Sequence, residues 1–351
     1  MWGYKGKYEK KIDSAYSLPD LYKLIWQPVS KKIEGISRVY FSLSGLLNQI
    51  NITALPSGKN KILNEDYELF QVNSIASIAD FTDDLITVSD KLLLYGGIKF
   101  EADTTEMKAA ALPYNSNIQN SIAFRGITTT ADPLPELPFS EEEVEKIKTS
   151  AIRTKRAVTV LKGANANEES VKAINENISP EVIHFATHGK FFPDPVKKIT
   201  DEKQTGIKIF SQSENPLFRS MLMLAGANNL WTGKQVNSTE DGILTAYEIS
   251  NINLSHTKLA VLSACETGLG DIQGSEGVYG LQRAFKIAGV QNLVMSLWSI
   301  ADNTTSEFMN IFYDQLFLNK HINEAFRFAQ GEMKKKYPAE PNKWAGIILV
   351  H

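Results

Sequence analysis

The chain has 351 residues, enough for one large or two ordinary domains around a sizeable buried core. With 37 basic and 40 acidic residues its net charge is −3, which excludes the electrostatic footprint of a nucleic-acid or anionic-membrane binder. No apolar run approaches the ~18 residues of a membrane span, the opening MWGYKGKYEKK is not a signal peptide, and a single cysteine forms no internal disulfide, so a reducing cytoplasm is the expected compartment.

Gly, Pro and polar clusters divide the chain into short apolar runs and helical patterns. LPDLYKLIWQPVSKKI places Leu21, Leu24, Ile25 and Val29 at helical spacing, with Pro28 expected to kink or end the helix. SRVYFSLSG and YELFQVNSI read as strands, and DKLLLYGGIKF as a strong strand broken at Gly96-Gly97. Residues 101–138 are polar and proline-dotted and read as a long loop. PFSEEEVEKIKTSAI carries a helix start, with Ser140 as cap and Glu143 three residues on. AVTVLKG (strand), NEESVKAINENI (helix) and EVIHFATHG (buried strand) follow.

Residues 190–242 read as a long irregular segment interrupted by one strand, NPLFRSMLMLAG, and are expected to be the mobile part of any site beside them. Then come TKLAVLSAC (strand), SEGVYGLQRAFKIAG (helix), QNLVMSLWSI (strand), two helices from NTTSEFMNIFYDQLF and INEAFRFAQGEMKKK, and the strand WAGIILV. The strands are continuous apolar runs rather than alternating ones, so they are buried on both faces. That predicts an α/β fold with a mostly parallel sheet between helical layers.

In such sheets functional groups gather beyond the carboxyl ends of the strands. Two reactive residues stand there: His188, followed by Gly189, and Cys265, the sole cysteine. If their strands are neighbours, a thiol and an imidazole share one sheet edge, the pairing used in nucleophilic catalysis. The glycines at 268, 270 and 274 permit a tight loop beside the thiol. A lone cysteine ending a buried strand is also often a small apolar core residue. His184 and His188 have an H-x-x-x-H spacing, but they lie on a strand with no third ligand evident, so no metal is expected. His184, inside the apolar run, reads as a hydrogen-bonded core residue. The GLGDIQG loop is one residue too long for the dinucleotide fingerprint.

The segments VIHFATHG, NPLFRSMLMLAGAN, DGILTAYEISNINL, LAVLSACETGLGDIQGSEGVYGLQRAFKIAGVQNLVMSLWSIAD and WAGIILV, in this order, resemble the CHAT domain. CHAT proteins are caspase-like cysteine peptidases related to caspases, separases and gingipains. The resemblance covers roughly residues 15–351 and is strongest from 180 on. It implies a caspase-like αβα sandwich. Residues 1–90 form a supporting α/β portion, pseudo-caspase-like and continuous with the core sheet, and residues 91–351 form the peptidase core.

The resemblance also implies that His188 is the proton-managing base and Cys265 the nucleophile, with the backbone N–H groups of Gly189 and Cys265 as oxyanion hole. It implies a cysteine endopeptidase that needs no cofactor or metal. The sequence Ser263-Ala264-Cys265-Glu266-Thr267-Gly268 lacks the caspase signature, so cleavage after Asp is not implied. A separase-like Trp-x-x-x-Asp pattern puts Trp298 as a wall and Asp302 as the base of a pocket for a basic substrate side chain. Capping of the helix that follows is the preferred role for Asp302. Glu240 and Asp241 are secondary candidates for acidic lining. The implied partners are a dedicated protein substrate, such as a gasdermin-like pore-former or another effector encoded nearby, and a regulatory sensor or tetratricopeptide-repeat protein, in a bacterial defence or cell-death system. The alternatives are a catalytically inactive caspase-like interaction or scaffold module and an α/β nucleotide-binding regulator.

Overall fold

The computed structural model describes residues 2–114, 132–176, 178–194, 208–211, 213–234, 240–264, 267–268, 270–272 and 278–351. Cys265 lies outside the described residues, as do parts of the 190–242 segment and of the glycine loop after it.

The N-terminal portion comprises α1 (Trp2–Ser17), a π-helical turn at Tyr22–Trp26 that runs into α2 (Gln27–Ser30), β1 (Arg38–Phe41), the hairpin β2 (Pro56–Gly58) and β3 (Lys61–Ile62), α3 (Leu63–Asp66) and β4 (Glu68–Gln71). β1 and β4 pair in parallel as a separate two-stranded sheet. It joins the main sheet through the last residue: His351 N–H donates to Gln71 O at 2.8 Å, and Asn73 N–H donates to His351 O at 3.0 Å. The expected continuity with the core sheet thus amounts to two backbone bonds at one edge.

The core begins with β5 (Leu92–Ile98), which runs through Gly96-Gly97 with a shift of register rather than a break. α4 (Thr104–Ala111) then replaces part of the expected loop. Its start is fixed by a capping box, in which Asp103 accepts from Thr105 and Glu106 N–H and Glu106 reaches back to Asp103 N–H. α5 (Pro138–Arg153) opens with Pro138 in its first turn, so Ser140 and Glu143 are helix-interior residues, not cap and box. β6 (Val158–Gly163), α6 (Glu168–Lys172) and β7 (Val182–Ala186) follow.

The segment after His188 has more regular structure among its described residues than the single strand expected. Its described residues form β8 (Gly189–Phe191), the short α7 (Lys208–Ser211), β9 (Ser220–Met223), α8 (Ala227–Trp231) and, just beyond, β10 (Ile243–Thr245), with the strands in an antiparallel sheet of order β10-β9-β8. The chain continues through α9 (Ala246–Ile249), β11 (Leu259–Ser263), the antiparallel ribbon β12 (Gly270–Ile272) and β13 (Val278–Gly280), α10 (Leu281–Ile287), β14 (Asn292–Ser296), α11 (Asp302–Leu316), α12 (Ile322–Lys336) and β15 (Ile347–Val350).

The central sheet has the order β15-β14-β11-β7-β5-β6, parallel throughout except for β15. β7, β11, β14 and β15 are buried at every residue, which is why their apolar runs do not alternate. α5 and α11 pack against each other over this sheet, and α11 packs in turn on α12 through Phe308 and Phe312 against Phe326. Among the described residues no helix is long and apolar enough to cross a membrane.

Candidate active site

β7 and β11 are immediate parallel neighbours in register, with Ala186 opposite Ser263. Both chains therefore leave the sheet at the same edge, His188 two residues beyond Ala186 and Ala264 one residue beyond Ser263. A cleft of about 420 Å³ opens there, lined by His188, Gly189, Lys190, Ser263, Ala264, Ser296, Leu134, Pro135 and the turn Ser299–Asp302.

His188 is half-buried and held on three sides. Its ring lies against buried Phe100, with centroids 4.9 Å apart. Its own carbonyl accepts Met223 N–H at 2.9 Å, and the Thr187 hydroxyl donates to Met223 O. Its Nε2 sits 2.7 Å from Pro135 O. A carbonyl can only accept, so Nε2 carries the proton and Nδ1 keeps a free lone pair in the neutral ring. Burial pushes the His188 pKa down, the Pro135 carbonyl offsets part of that drop, and Lys190 adds to it. The imidazole is thus neutral and basic at Nδ1 near pH 7. His188 C=O and Gly189 N–H belong to one trans peptide group and point in opposite directions. Since His188 O faces β9, Gly189 N–H faces away from it, and Gly189 lines the cleft.

The described residues on either side of Cys265 are held by Ser296. Ser296 Oγ donates to Ala264 O at 2.7 Å, and Ser296 N–H donates to Thr267 Oγ1 at 3.2 Å. Gly268 N–H closes on Ser296 O at 2.7 Å. Ser296, at the end of β14, therefore clamps both sides of the cysteine.

Asp302 lines the cleft, but it is not the cap of its own helix. Ala301 occupies that position with no side-chain bond, and Asp302 Oδ2 instead accepts Phe139 N–H at 3.0 Å, capping the first turn of α5. Thr304 and Glu307 form no capping box in its place: Thr304 lies inside α11 beside Asn303, and Glu307 pairs with Lys336 and Tyr337. Burial, with Glu143 nearby, raises the Asp302 pKa against the lowering effect of the Phe139 bond.

Trp298 does not wall the cleft. It is 5% exposed, donates Nε1–H to Asn342 O at 2.8 Å and packs on Tyr16 and over Gly346. Its indole belongs to the contact between the core and the N-terminal portion.

Glu240 and Asp241 do not line the cleft either. They are buried, and Lys172 Nζ sits 2.8 Å from Glu168, 2.9 Å from Glu240 and 2.9 Å from Glu248. Asp241 accepts Ile243 N–H. Burial pushes the pKa values of Glu240 and Asp241 up to about 7 each. The three glutamates have carboxylate oxygens close enough to hold a metal, and the Lys172 ammonium stands among them as the cation. His184, also buried, lies 2.8 Å from Glu143 and 3.2 Å from Tyr313 Oη, apart from His188.

Pro135 and Ser296 were not among the candidates read from the sequence. The Pro135 contribution is a carbonyl, which any residue possesses; the only hint in the sequence is the Pro133-Leu134-Pro135 run itself.

The CHAT domain model matches residues 16–351. The chain belongs to the CHAT domain family. Tetratricopeptide repeat protein 28 is similar to it: the human protein is 24% identical over 300 residues, 84% of this chain, and the mouse protein 26% identical over 196 residues, 54% of this chain. The chain spans about a tenth of these relatives' length, 11% and 8% respectively. Among solved structures, the Arg-specific cysteine proteinase gingipain R matches over 99% of this CHAT chain and 74% of its own, with a TM-score of 0.50 at 10% identity. A separase–securin complex from Saccharomyces cerevisiae matches over 82% of this chain and 14% of its own, with a TM-score of 0.43 at 10% identity. The CHAT chain thus has a caspase-like, cysteine-peptidase-like fold.

Proposed function

We propose that this CHAT chain is a cysteine endopeptidase in which His188 and Cys265 form the catalytic dyad. The observation that carries the reading is the His188 ring, fixed by Pro135 O with its basic Nδ1 free, in a cleft floored by the residue preceding Cys265. In the proposed reaction Nδ1 takes the proton of the Cys265 thiol, and the thiolate sulfur bonds to the scissile carbonyl carbon. The Gly189 and Cys265 N–H groups stabilise the resulting oxyanion. The imidazolium returns its proton to the leaving amine as the C–N bond breaks, and water then hydrolyses the thioester. The Pro135 carbonyl strengthens its bond as His188 becomes charged, which supports the imidazolium without taking its proton.

The substrate side chain before the cut is proposed to be basic, recognised by Asp302 in the same cleft. The substrate itself is proposed to be one dedicated protein, handed over under the control of a sensor or repeat protein, in a bacterial defence setting implied by the family resemblance. A proteome-derived peptide library tests the core of this: the intact chain should cut it, and Cys265→Ala and His188→Ala should each abolish cutting while remaining folded. Cutting by folded Cys265→Ala removes the nucleophile assignment. A wild-type chain silent on peptides and on the proteins encoded beside it favours the inactive-scaffold reading.

A further inference from the structure

Pro135 O can orient His188 only if the strap that carries it is itself immobile. That strap, residues 132–137, has no regular secondary structure, and Leu134, Pro135 and Leu137 line the cleft. Between Pro133 and Pro135 only Leu134 has a backbone N–H, and its ψ is restricted by the proline that follows. Whatever holds both polar groups of Leu134 therefore fixes the Pro135 carbonyl one residue on.

Asn228, on α8, does this. Its Oδ1 accepts Leu134 N–H at 2.8 Å, and its Nδ2 donates to Leu134 O at 3.1 Å. The side chain is 7% exposed, so both bonds form in a setting where an unmade partner is costly. The Asn228 backbone N–H donates to Phe100 O at 2.9 Å, and Phe100 is the ring beneath His188. Asn228 thus grips two of the supports of the imidazole, its hydrogen-bonding carbonyl and its aromatic floor. α8 starts from Gly226, whose φ of +80° is a left-handed conformation that favours glycine. A second bond from α8 reaches the strap farther from the site: Trp231 Nε1–H donates to Asp132 O at 3.1 Å.

We infer that Asn228 is a positioning residue for the peptidase reaction, acting on His188 through the Leu134–Pro135 strap. The inference rests on the dyad reading above. It assigns a catalytic consequence to a side chain that touches neither substrate nor reacting atoms.

The test is the pH dependence of iodoacetamide alkylation at Cys265, the only thiol in the chain, followed by intact mass. A positioned imidazole keeps the thiol reactive well below the ~8.5 pKa of a free cysteine. Wild type should alkylate readily at pH 6. His188→Ala should follow a free thiol. Asn228→Ala should lose about tenfold or more of the wild-type rate at pH 6 and stay within about twofold at pH 9.5, where the thiolate forms unaided. Asn228→Asp, which keeps the acceptor and loses the donor, should fall in the same direction and covers the case in which the alanine variant does not fold. Trp231→Phe cuts a bond to the same strap away from Pro135 and should keep the wild-type profile. A merely structural Asn228 would instead lower the folded fraction and leave the profile of the remainder unchanged. Wild-type behaviour of both Asn228 variants at pH 6, with His188→Ala impaired, overturns the inference alone. Wild-type behaviour of His188→Ala overturns the dyad and the inference with it.

Discussion

Asp302 is where the structure changes the prediction most. The carboxylate caps α5 through Phe139 N–H and also lines the cleft, so its two roles must be separated by substitution. Asn caps about as well as Asp, so Asp302→Asn should keep unfolding free energy within about 0.5 kcal/mol of wild type, whereas Asp302→Ala should lose about 1 kcal/mol. The direction of the Asn change is helped by burial, which already disfavours the Asp302 charge. A half-buried carboxylate facing a guanidinium in a narrow cleft is worth about 2–3 kcal/mol when truncated, at the low end for such pairs. That is about a 30- to 150-fold fall in kcat/KM for substrates with Arg or Lys before the cut. The assay is kcat/KM on matched peptides varied only at that residue, alongside urea denaturation of the same preparations. Unchanged kcat/KM for Arg peptides in Asp302→Asn, or equal losses for basic and apolar peptides, would refute the pocket role and leave α5 capping as the whole of it.

The buried acids around Lys172 make a second forecast. The folded-state pKa of Glu240 is raised, so its contribution to stability is present below its ordinary value and is lost as pH rises through about 7. Glu240→Gln should therefore gain unfolding free energy relative to wild type between pH 5 and pH 8, on the order of 2 kcal/mol, by urea denaturation; a pH-independent difference counts against it. Gly346→Ala would place a Cβ 2.5 Å from the Trp298 ring, which Asn342 O anchors, so it should cost about 1–3 kcal/mol. A thermal midpoint equal to wild type would mean that Trp298 is freer than described.

The strands that build the site were legible because burial on both faces leaves an unmistakable signature. β7, β11 and β14 read as buried strand runs, and the structure makes neighbours of the two strands that lead to His188 and Cys265, which the sequence left conditional. α12 read equally well, since Ile322, Ala325, Phe326, Ala329 and Met333 share one face and all are buried. The supports of the site were not legible. Pro135 contributes a backbone oxygen, 53 residues from the histidine it holds, and Asn228 acts on main chain 94 residues away. Contacts of this kind leave no periodicity or motif, because they depend on where the topology brings a loop.

Trp298 as a cleft wall and Asp302 as the cap of its own helix failed as readings for a related reason: a pattern fixes residue types, but not where each side chain goes after a strand end. α4 was within reach, since Asp103-Thr104-Thr105-Glu106 is a complete capping box hidden in a polar stretch.

The dyad is tested most directly by covalent capture. The wild-type chain, His188→Ala and Cys265→Ala are each treated at pH 7 with peptidyl acyloxymethyl ketones varied at the residue next to the warhead, then read by intact mass and peptide mapping. The account predicts one adduct per chain, on Cys265, fastest with a basic side chain, lost in Cys265→Ala and strongly slowed in His188→Ala. An adduct on another residue, or capture of His188→Ala at the wild-type rate, would contradict it.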